Sequence, residues 1–397
     1  MLKKILAVLC AVITISAVFT ACSSKTDKSV GTDSENSSSE ENDMKKVINS
    51  ENAKLVGRTW LGDNNTLWCA LSGSGAEFEF TGKKLDIMIE GDSVSTSGNS
   101  DNYCRLAIYV DGERVVDDML DDAVKKYTPI DGTETVTKNV KIVKLSECAM
   151  STMGIMPIDL EEGASIKPAE KKAHSIEFIG DSITCGYGVD DEDENHPFKT
   201  STEDVTKAYA YKTAQALDAE YSMFSTSGYG IISGWTGDGT KKPEQSIPQY
   251  YKSLGFSYGS FGGTASQSVD WDFGNYQPEL IVINLGTNDD SYCGSDEAKQ
   301  REYIDGYKEF LSVVRENNPD AHIICSLGIM GGRLYTCIEE MYLEYKKETG
   351  DENISIFKFD AQNGNEDGYA ADWHPTEKTH DKAAAALETE IRAVMGW

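Results

Sequence analysis

The sequence predicts two folded regions of different class: an all-β, jelly-roll-like domain, then an α/β domain with a parallel sheet and helices on both faces. Three observations lead there. In the first region the apolar runs are short or alternating and are separated by turn residues. In the second, buried-strand patterns alternate with helical ones. Ahead of both, residues 23–46 are rich in Ser, Asp, Glu and Asn with almost no apolar residue, so they cannot bury enough surface to offset chain entropy.

The first region covers residues 47–170. "TLWCALSG", "GAEFEFTG", "KLDIMIEG", "KNVKIVKLSE" and "ASIKPA" each read as a short strand. "YVDGERV" is a hairpin signal, because Asp-Gly supplies the positive φ that a tight turn between strands needs. Several strands at this spacing make a β-sandwich or jelly roll.

The second region covers residues 171–397. "HSIEFIG", "ELIVINLG" and "AHIICSLG" are continuous apolar runs, the pattern of strands buried on both faces. Helical periodicity runs from Glu203 to Asp218, Glu302 to Asn317, Cys337 to Glu348 and Thr376 to Met395. A βαβ succession of this kind builds a parallel sheet, and ligands bind beyond the carboxyl ends of its strands.

Composition limits the function. The chain has 397 residues, 37 basic and 66 acidic, for a formal charge of −29. That surface repels nucleic acid and gains nothing at an anionic lipid surface. It suits an exported protein that acts on neutral or cationic material. The N-terminus agrees: Lys3 and Lys4, an apolar stretch from Ile5 to Phe19, then Thr20-Ala21-Cys22. This is a secretory signal over residues 1–21, short of the roughly 20 apolar residues that span a bilayer. Its end resembles a bacterial lipobox, which implies a lipid on Cys22 and location outside the bacterial cell membrane. Residues 22–46 are then a flexible acidic tether. Beyond Cys22 the seven cysteines show neither CxxC nor Cys/His zinc spacing, so no metal is expected and buried free thiols are expected for most of them, with one bridge among Cys69, Cys104 and Cys148 left open.

Two copies of Gly-Asp-Ser follow strand-like runs, in "IMIEGDSVSTSG" and "IEFIGDSITCGYG". Ser93 in the first opens a polar loop of the β region. Ser182 in the second sits where a parallel strand gives way to a Gly-rich turn, so its hydroxyl faces the crevice. A serine nucleophile needs a base, and the base an orienting group. "ADWHPTEKTH", just ahead of the last helix, supplies His374 as base and Asp372 as the group that holds its tautomer. "INLGTNDD" places Asn288 at a strand end, where its amide can donate to a developing oxyanion together with the Ser182 N–H. A third donor belongs in the loop after "YSMFSTS", where Gly228 and Gly230 are both available. Asp289 and Asp290 have no third carboxylate or histidine nearby in the sequence to make a metal site, and no cofactor is expected.

In this order, GDS, the Gly loop, GTND and the Asp/His block resemble the SGNH (GDSL-type) hydrolases over about residues 175–397. The spacing departs in one respect: Asp372 and His374 are two apart rather than three, which weakens the case for Asp372. With "GRTWLGDNNTLWCALSGSGAEFEFTG" ahead and "WDFGNYQPELIVINLGTND" after, the whole is similar to carbohydrate esterase family 2. The resemblance implies an SGNH domain preceded by a β domain, and an acetyl esterase acting on plant polysaccharides such as xylan and glucomannan. Carried over by motif, Ser182 is the nucleophile, His374 the base and Asp372 the third member; Gly230 and Asn288 join Ser182 in the oxyanion hole. Trp373, Trp271 and Trp235 are candidate sugar platforms, although aromatics are usually core. Two other readings stay open: another SGNH esterase acting on peptidoglycan or lipid esters, and a carbohydrate-binding lipoprotein. The expected partner is acetylated polysaccharide, with no nucleic acid and membrane contact only through the lipid.

Overall fold

The computed structural model describes residues 45–397. The signal, Cys22 and the tether up to residue 44 lie outside the described residues. The tether's last two residues, Lys45 and Lys46, already pair with Asp159 and Ile158 of the first domain. No helix among the described residues is long and apolar enough to cross a membrane.

The first domain is all-β and antiparallel. Its backbone is a pair of long strands, Gly75–Gly91 and Val124–Lys144, paired along most of their length. The sequence reads as two strands here, divided at Gly82-Lys83-Lys84. Instead the strand continues through a register shift between Gly82 and Lys84, which bends it without ending the ladder. Phe78, Phe80, Leu85, Ile87 and Ile89 point from it into a dry core. The expected hairpin joins Cys104–Val110 to Glu113–Leu120, with Asp111 at φ 49° and Gly112 at φ 83°.

The second domain is a five-stranded parallel sheet. Its strands are β1 (His174–Gly180), β2 (Ala219–Ser225), β3 (Leu280–Asn284), β4 (His322–Ile329) and β5 (Ile354–Ala361), in the order β2-β1-β3-β4-β5. Alternate residues of β3 serve the two faces. Leu280 and Val282 join the core under α1 (Tyr209–Ala216) and α4 (Glu377–Met395). Ile281 and Ile283 join the core under α2 (Glu297–Asn317) and α3 (Tyr335–Thr349). Helices on both faces therefore follow from strands that are apolar on both sides. The first helix is shorter than its periodicity suggests. Residues 203–207 make tight turns instead, and Glu203 is buried.

The two domains share an interior. Arg58, from the β domain, is 1 % exposed and reaches β1, where its Nη2 meets Glu177 Oε1 at 3.1 Å. Its Nη1 donates to the carbonyls of Tyr251 and Ser253. Phe224, Tyr251, Phe273 and Trp271 surround the guanidinium within 4.3 to 5.5 Å. Glu177 takes further hydrogen bonds from Ser222 Oγ and Tyr251 Oη. Every charge in this cluster is paired and hydrogen-bonded, the condition under which a buried ion pair is tolerated.

Removing one partner leaves the other charged and buried. Arg58→Ala is expected to destabilise the protein by about 3–5 kcal/mol, while Arg58→Met with Glu177→Gln recovers a good part of the loss. Urea unfolding measures both. A loss below about 1 kcal/mol for Arg58→Ala is what a surface ion pair gives, and would contradict this account.

Candidate active site

β1 delivers Ser182. At its end, Gly180 has no room for a side chain, since a Cβ would meet Thr184 Oγ1 at 2.0 Å. Asp181 then caps the Ser182–Cys185 helical turn, its Oδ1 accepting the Ile183 N–H at 3.0 Å. This places Ser182 at the first helical position, where a backbone N–H has no partner within the helix. Ser182 is buried apart from a 7 % opening.

The partner comes from the far end of the chain. His374 Nε2 lies 2.9 Å from Ser182 Oγ. His374 Nδ1 faces the backbone carbonyl of Asp372 at 3.1 Å. A carbonyl can only accept, so the proton sits on Nδ1 and the lone pair of Nε2 is free to take the serine proton. The Asp372 carboxylate points elsewhere and accepts from Tyr187 Oη at 3.1 Å. The expected Asp372 carboxylate–His374 bond is thus replaced by a bond to the carbonyl of the same residue. The cause is local: Asp372 and Trp373 both adopt left-handed backbone, with φ 53° and 63°, which turns the carbonyl rather than the side chain toward the ring. Hydrogen bonds from Asp372 N–H to the His196 carbonyl and from Ala371 N–H to the Asp191 carbonyl hold the strained turn.

Tyr187, which sequence reasoning passed over, completes this side. Its ring stacks on the His374 imidazole with centroids 3.9 Å apart, and Phe198 stacks on the other face at 4.2 Å. Its only sequence signal is an aromatic residue just past the nucleophile turn. Burial makes His374 hard to protonate and lowers it to about 4, although the Asp372 carbonyl and charge pull the other way.

The remaining assignments divide. Gly230 is no free donor: its N–H donates to the Gln245 carbonyl at 3.3 Å. A Cβ there would strike Ser233 O and the Asp289 carboxylate, so this glycine is needed for close packing. Gly228, the alternative, has φ 80° and open space where a side chain would be, and its N–H has no protein acceptor among the described residues. Asn288 lies beside the site, with its amide donating to Asp181 Oδ2 at 3.2 Å and to the Tyr229 carbonyl at 2.9 Å. The longer of these contacts is the one it can share with an oxyanion. The Asp289 carboxylate accepts the N–H groups of Ile231, Ile232 and Ser233 and so shapes the neighbouring loop. Burial raises Asp289 to about 6 and, with the Asp289 charge added, Asp181 to about 7.

Trp271 is not a sugar platform. It is 9 % exposed and forms part of the aromatic wall around Arg58. Trp373 and Trp235 are 52 % and 58 % exposed. Trp373 adjoins His374, and the Trp235 N–H donates to the Gly228 carbonyl at 2.8 Å, so each is tied to one side of the site. Ser93 is exposed in a loop of the β domain, where the neighbouring Asp92 carboxylate braces Thr152.

With this geometry in hand, the chain can be set beside known proteins. Residues 178–382 match the model of the GDSL-like Lipase/Acylhydrolase family, and residues 55–169 that of the Carbohydrate esterase 2 N-terminal domain. The chain belongs to carbohydrate esterase family 2. This family 2 esterase is 32 % identical to the cellulase/esterase CelE of Acetivibrio thermocellus over 350 residues. That match takes in 86 % of the chain but only 39 % of CelE. It is 28 % identical to an acetylxylan esterase/glucomannan deacetylase of Cellvibrio japonicus, covering 87 % of the chain and 89 % of the relative. A solved family two carbohydrate esterase from Clostridium thermocellum, in complex with cellohexaose, superposes with a TM-score of 0.72 at 28 % identity, over 87 % of the chain and 99 % of that structure. The protein is accordingly a carboxylic-ester hydrolase.

Two outcomes follow from the His374 geometry. The acid limb of kcat/KM reports the free base. Because burial lowers His374, that limb is expected near pH 4, well below the usual imidazole value of about 6.5; a limb at or above 6.5 contradicts it. Asp372→Asn keeps the carbonyl and tolerates left-handed backbone, so kcat is expected to fall by less than about tenfold. Where a carboxylate alone sets the tautomer, the same change costs about 10⁴, and a loss of that size would restore the carboxylate to the role.

Proposed function

We propose that this esterase removes O-acetyl groups from acetylated polysaccharide of the xylan or glucomannan kind, through an acyl-enzyme on Ser182. The observation that carries the reading is the 2.9 Å approach of His374 Nε2 to Ser182 Oγ just past the end of β1. His374 takes the serine proton as Oγ attacks the acetyl carbonyl. The negative charge that forms on the carbonyl oxygen is met by the N–H groups of Ser182 and Gly228, with the Asn288 amide as third donor. The imidazolium returns its proton to the departing sugar hydroxyl. In the second half His374 activates water, which releases acetate and restores Ser182. Asp372 orients the base by its carbonyl and stabilises the imidazolium by its charge at a distance.

Substrate class rests on three supports. A relative matched along 87 % of the chain is named acetylxylan esterase/glucomannan deacetylase. Trp373 and Trp235 offer exposed rings on which a pyranose face can pack. The formal charge of −29 suits a neutral polymer better than an anionic one. The basic and apolar N-terminus and the lipobox-like Thr20-Ala21-Cys22 support a reading in which the enzyme works outside the cell on a lipid anchor, with residues 22–46 as the tether.

The test is hydrolysis of 4-nitrophenyl acetate, then acetate release from acetylated xylan, glucomannan and peptidoglycan. Ser182→Ala is expected to lower kcat by about 10³-fold or more with the fold intact, and Ser93→Ala to change it by less than about twofold. Activity that survives Ser182→Ala would end the reading; release from peptidoglycan alone would move the substrate class.

A further inference from the structure

Beneath the nucleophile turn lies a group of ionisable side chains that the reaction does not use. Glu147, Glu203 and Cys185 are all buried, and a carboxylate oxygen of each glutamate and Cys185 Sγ lie within 4.8 Å of one another. Glu147 belongs to the β domain; Glu203 and Cys185 belong to the catalytic domain. Each carboxylate has one oxygen well used. Glu147 Oε2 accepts the Ser227 N–H at 2.7 Å, and Glu203 Oε2 accepts the Glu147 N–H at 2.7 Å. The other oxygen of each, Oε1, is buried with no hydrogen-bond partner among the described residues.

Charge counting sharpens the problem. One buried cation stands close by, Lys144, whose Nζ donates to the carbonyls of Ser146 and Glu147. Arg105 reaches the Glu203 carbonyl at 3.3 Å, but its charge is taken by Asp117 and Asp190. The other titratable groups facing the pair are thiols and phenols: Cys185, Cys148, Cys104, Tyr187 and Tyr229. Burial holds each of them neutral. Two buried carboxylates against one ammonium leave one negative charge without compensation, which a dry interior does not tolerate.

The position of the pair gives it consequence. Ser227 directly precedes Gly228, and the carbonyl of Ser225 and the hydroxyl of Thr226 are within hydrogen-bond reach of Cys148 Sγ. Residues 147 and 148 of the β domain therefore hold the loop that presents the Gly228 N–H. We propose that Glu147 is a positioning residue for the oxyanion loop, and that Glu203 carries a proton at neutral pH so that Glu147 can hold Ser227 as a single compensated charge. Both glutamates are displaced upward by burial, and Glu203 further by the charge of Glu147, as expected of a pair in which only one carboxyl is charged. The sign follows. A carboxyl raised in the folded state contributes stability that is complete below the ordinary glutamate value of about 4.3 and is lost as pH rises through the raised one. Above that point a second charge opens under the nucleophile turn and the loop loosens. The β domain thereby takes part in catalysis through its Glu147 side chain.

This rests on the Ser182 reading for its link to catalysis, so the experiment has one arm that does not. Infrared difference spectra of the purified protein at neutral pH, against Glu203→Gln, are expected to show loss of a protonated-carboxyl stretch. Absence of that band difference overturns the proton on Glu203 whatever Ser182 does. In the kinetic arm, Glu147→Ala is expected to lower kcat at least about tenfold with KM within about twofold, because an oxyanion donor acts on transition-state charge. Glu147→Gln, which still accepts the Ser227 N–H, restores much of it. Glu203→Gln has no proton to lose, so the alkaline fall in its kcat moves to higher pH than in wild type; Asp181, which also titrates, is unaltered by the change. Unchanged alkaline limbs, an effect of Glu147→Ala on KM alone, or a stoichiometric metal ion in the purified protein would each overturn the proposal. If Glu147→Ala does not fold, the Glu147→Gln and Glu203→Gln pH profiles decide.

Discussion

A guanidinium from the β domain sits inside the catalytic domain, and much of the molecule is arranged around that fact. Arg58 pairs with Glu177 on β1, the strand that ends two residues before Ser182. An ion pair this deep is sustained only if every donor and acceptor is met, and here they are met by backbone from Tyr251 and Ser253 and by hydroxyls of Ser222 and Tyr251. The aromatic wall of Phe224, Tyr251, Trp271 and Phe273 excludes water from it. Because those partners come from several loops, one buried charge fixes the relation of the two domains and the course of the segment from Tyr250 to Phe273. The β domain is thus part of the frame that positions the strand leading to Ser182.

The site itself is built by carboxylates that bind backbone. Asp181 takes the Ile183 N–H, Asp289 takes three N–H groups of the following loop, and Glu147 takes that of Ser227. Each bond fixes chain direction close to Ser182 without touching it. His374 is oriented in the same idiom, by a carbonyl rather than a side chain. A neutral acceptor sets the tautomer of His374 as firmly as a carboxylate does, and it leaves a buried imidazole less basic. Such a base is neutral and ready over a wider acidic range.

What could be read in the sequence was whatever is local. Ser182 and His374 stand in loops whose neighbours announce them: an apolar strand before one, a helix start after the other. The hairpin at Asp111-Gly112 was legible for the same reason, since its turn needs just those residues. Trp271 was not, because its burial depends on Arg58 arriving from another domain, and no spacing along the chain encodes that. The choice between Gly228 and Gly230 turned on the Gln245 carbonyl, which takes the N–H of the second glycine and not of the first. Asp372 was assigned by residue type, whereas a backbone dihedral decided its role. β5 went unread because, at the sheet edge, its pattern is half exposed and lacks the continuous apolar run of the inner strands. The long strand through Gly82 was divided in the reading because a bulge and a turn share the same residues.

The seven cysteines from Cys69 to Cys337 are all buried and unbridged, and burial raises every one of their thiols above the ordinary range. Thiolate is the reactive form, so these groups are slow toward oxidants, disulfides and soft metals. Folding of residues 45–397 therefore requires no oxidant and no isomerase to sort pairings. The architecture is indifferent to the redox poise around it, and it can be assembled equally well where air is absent.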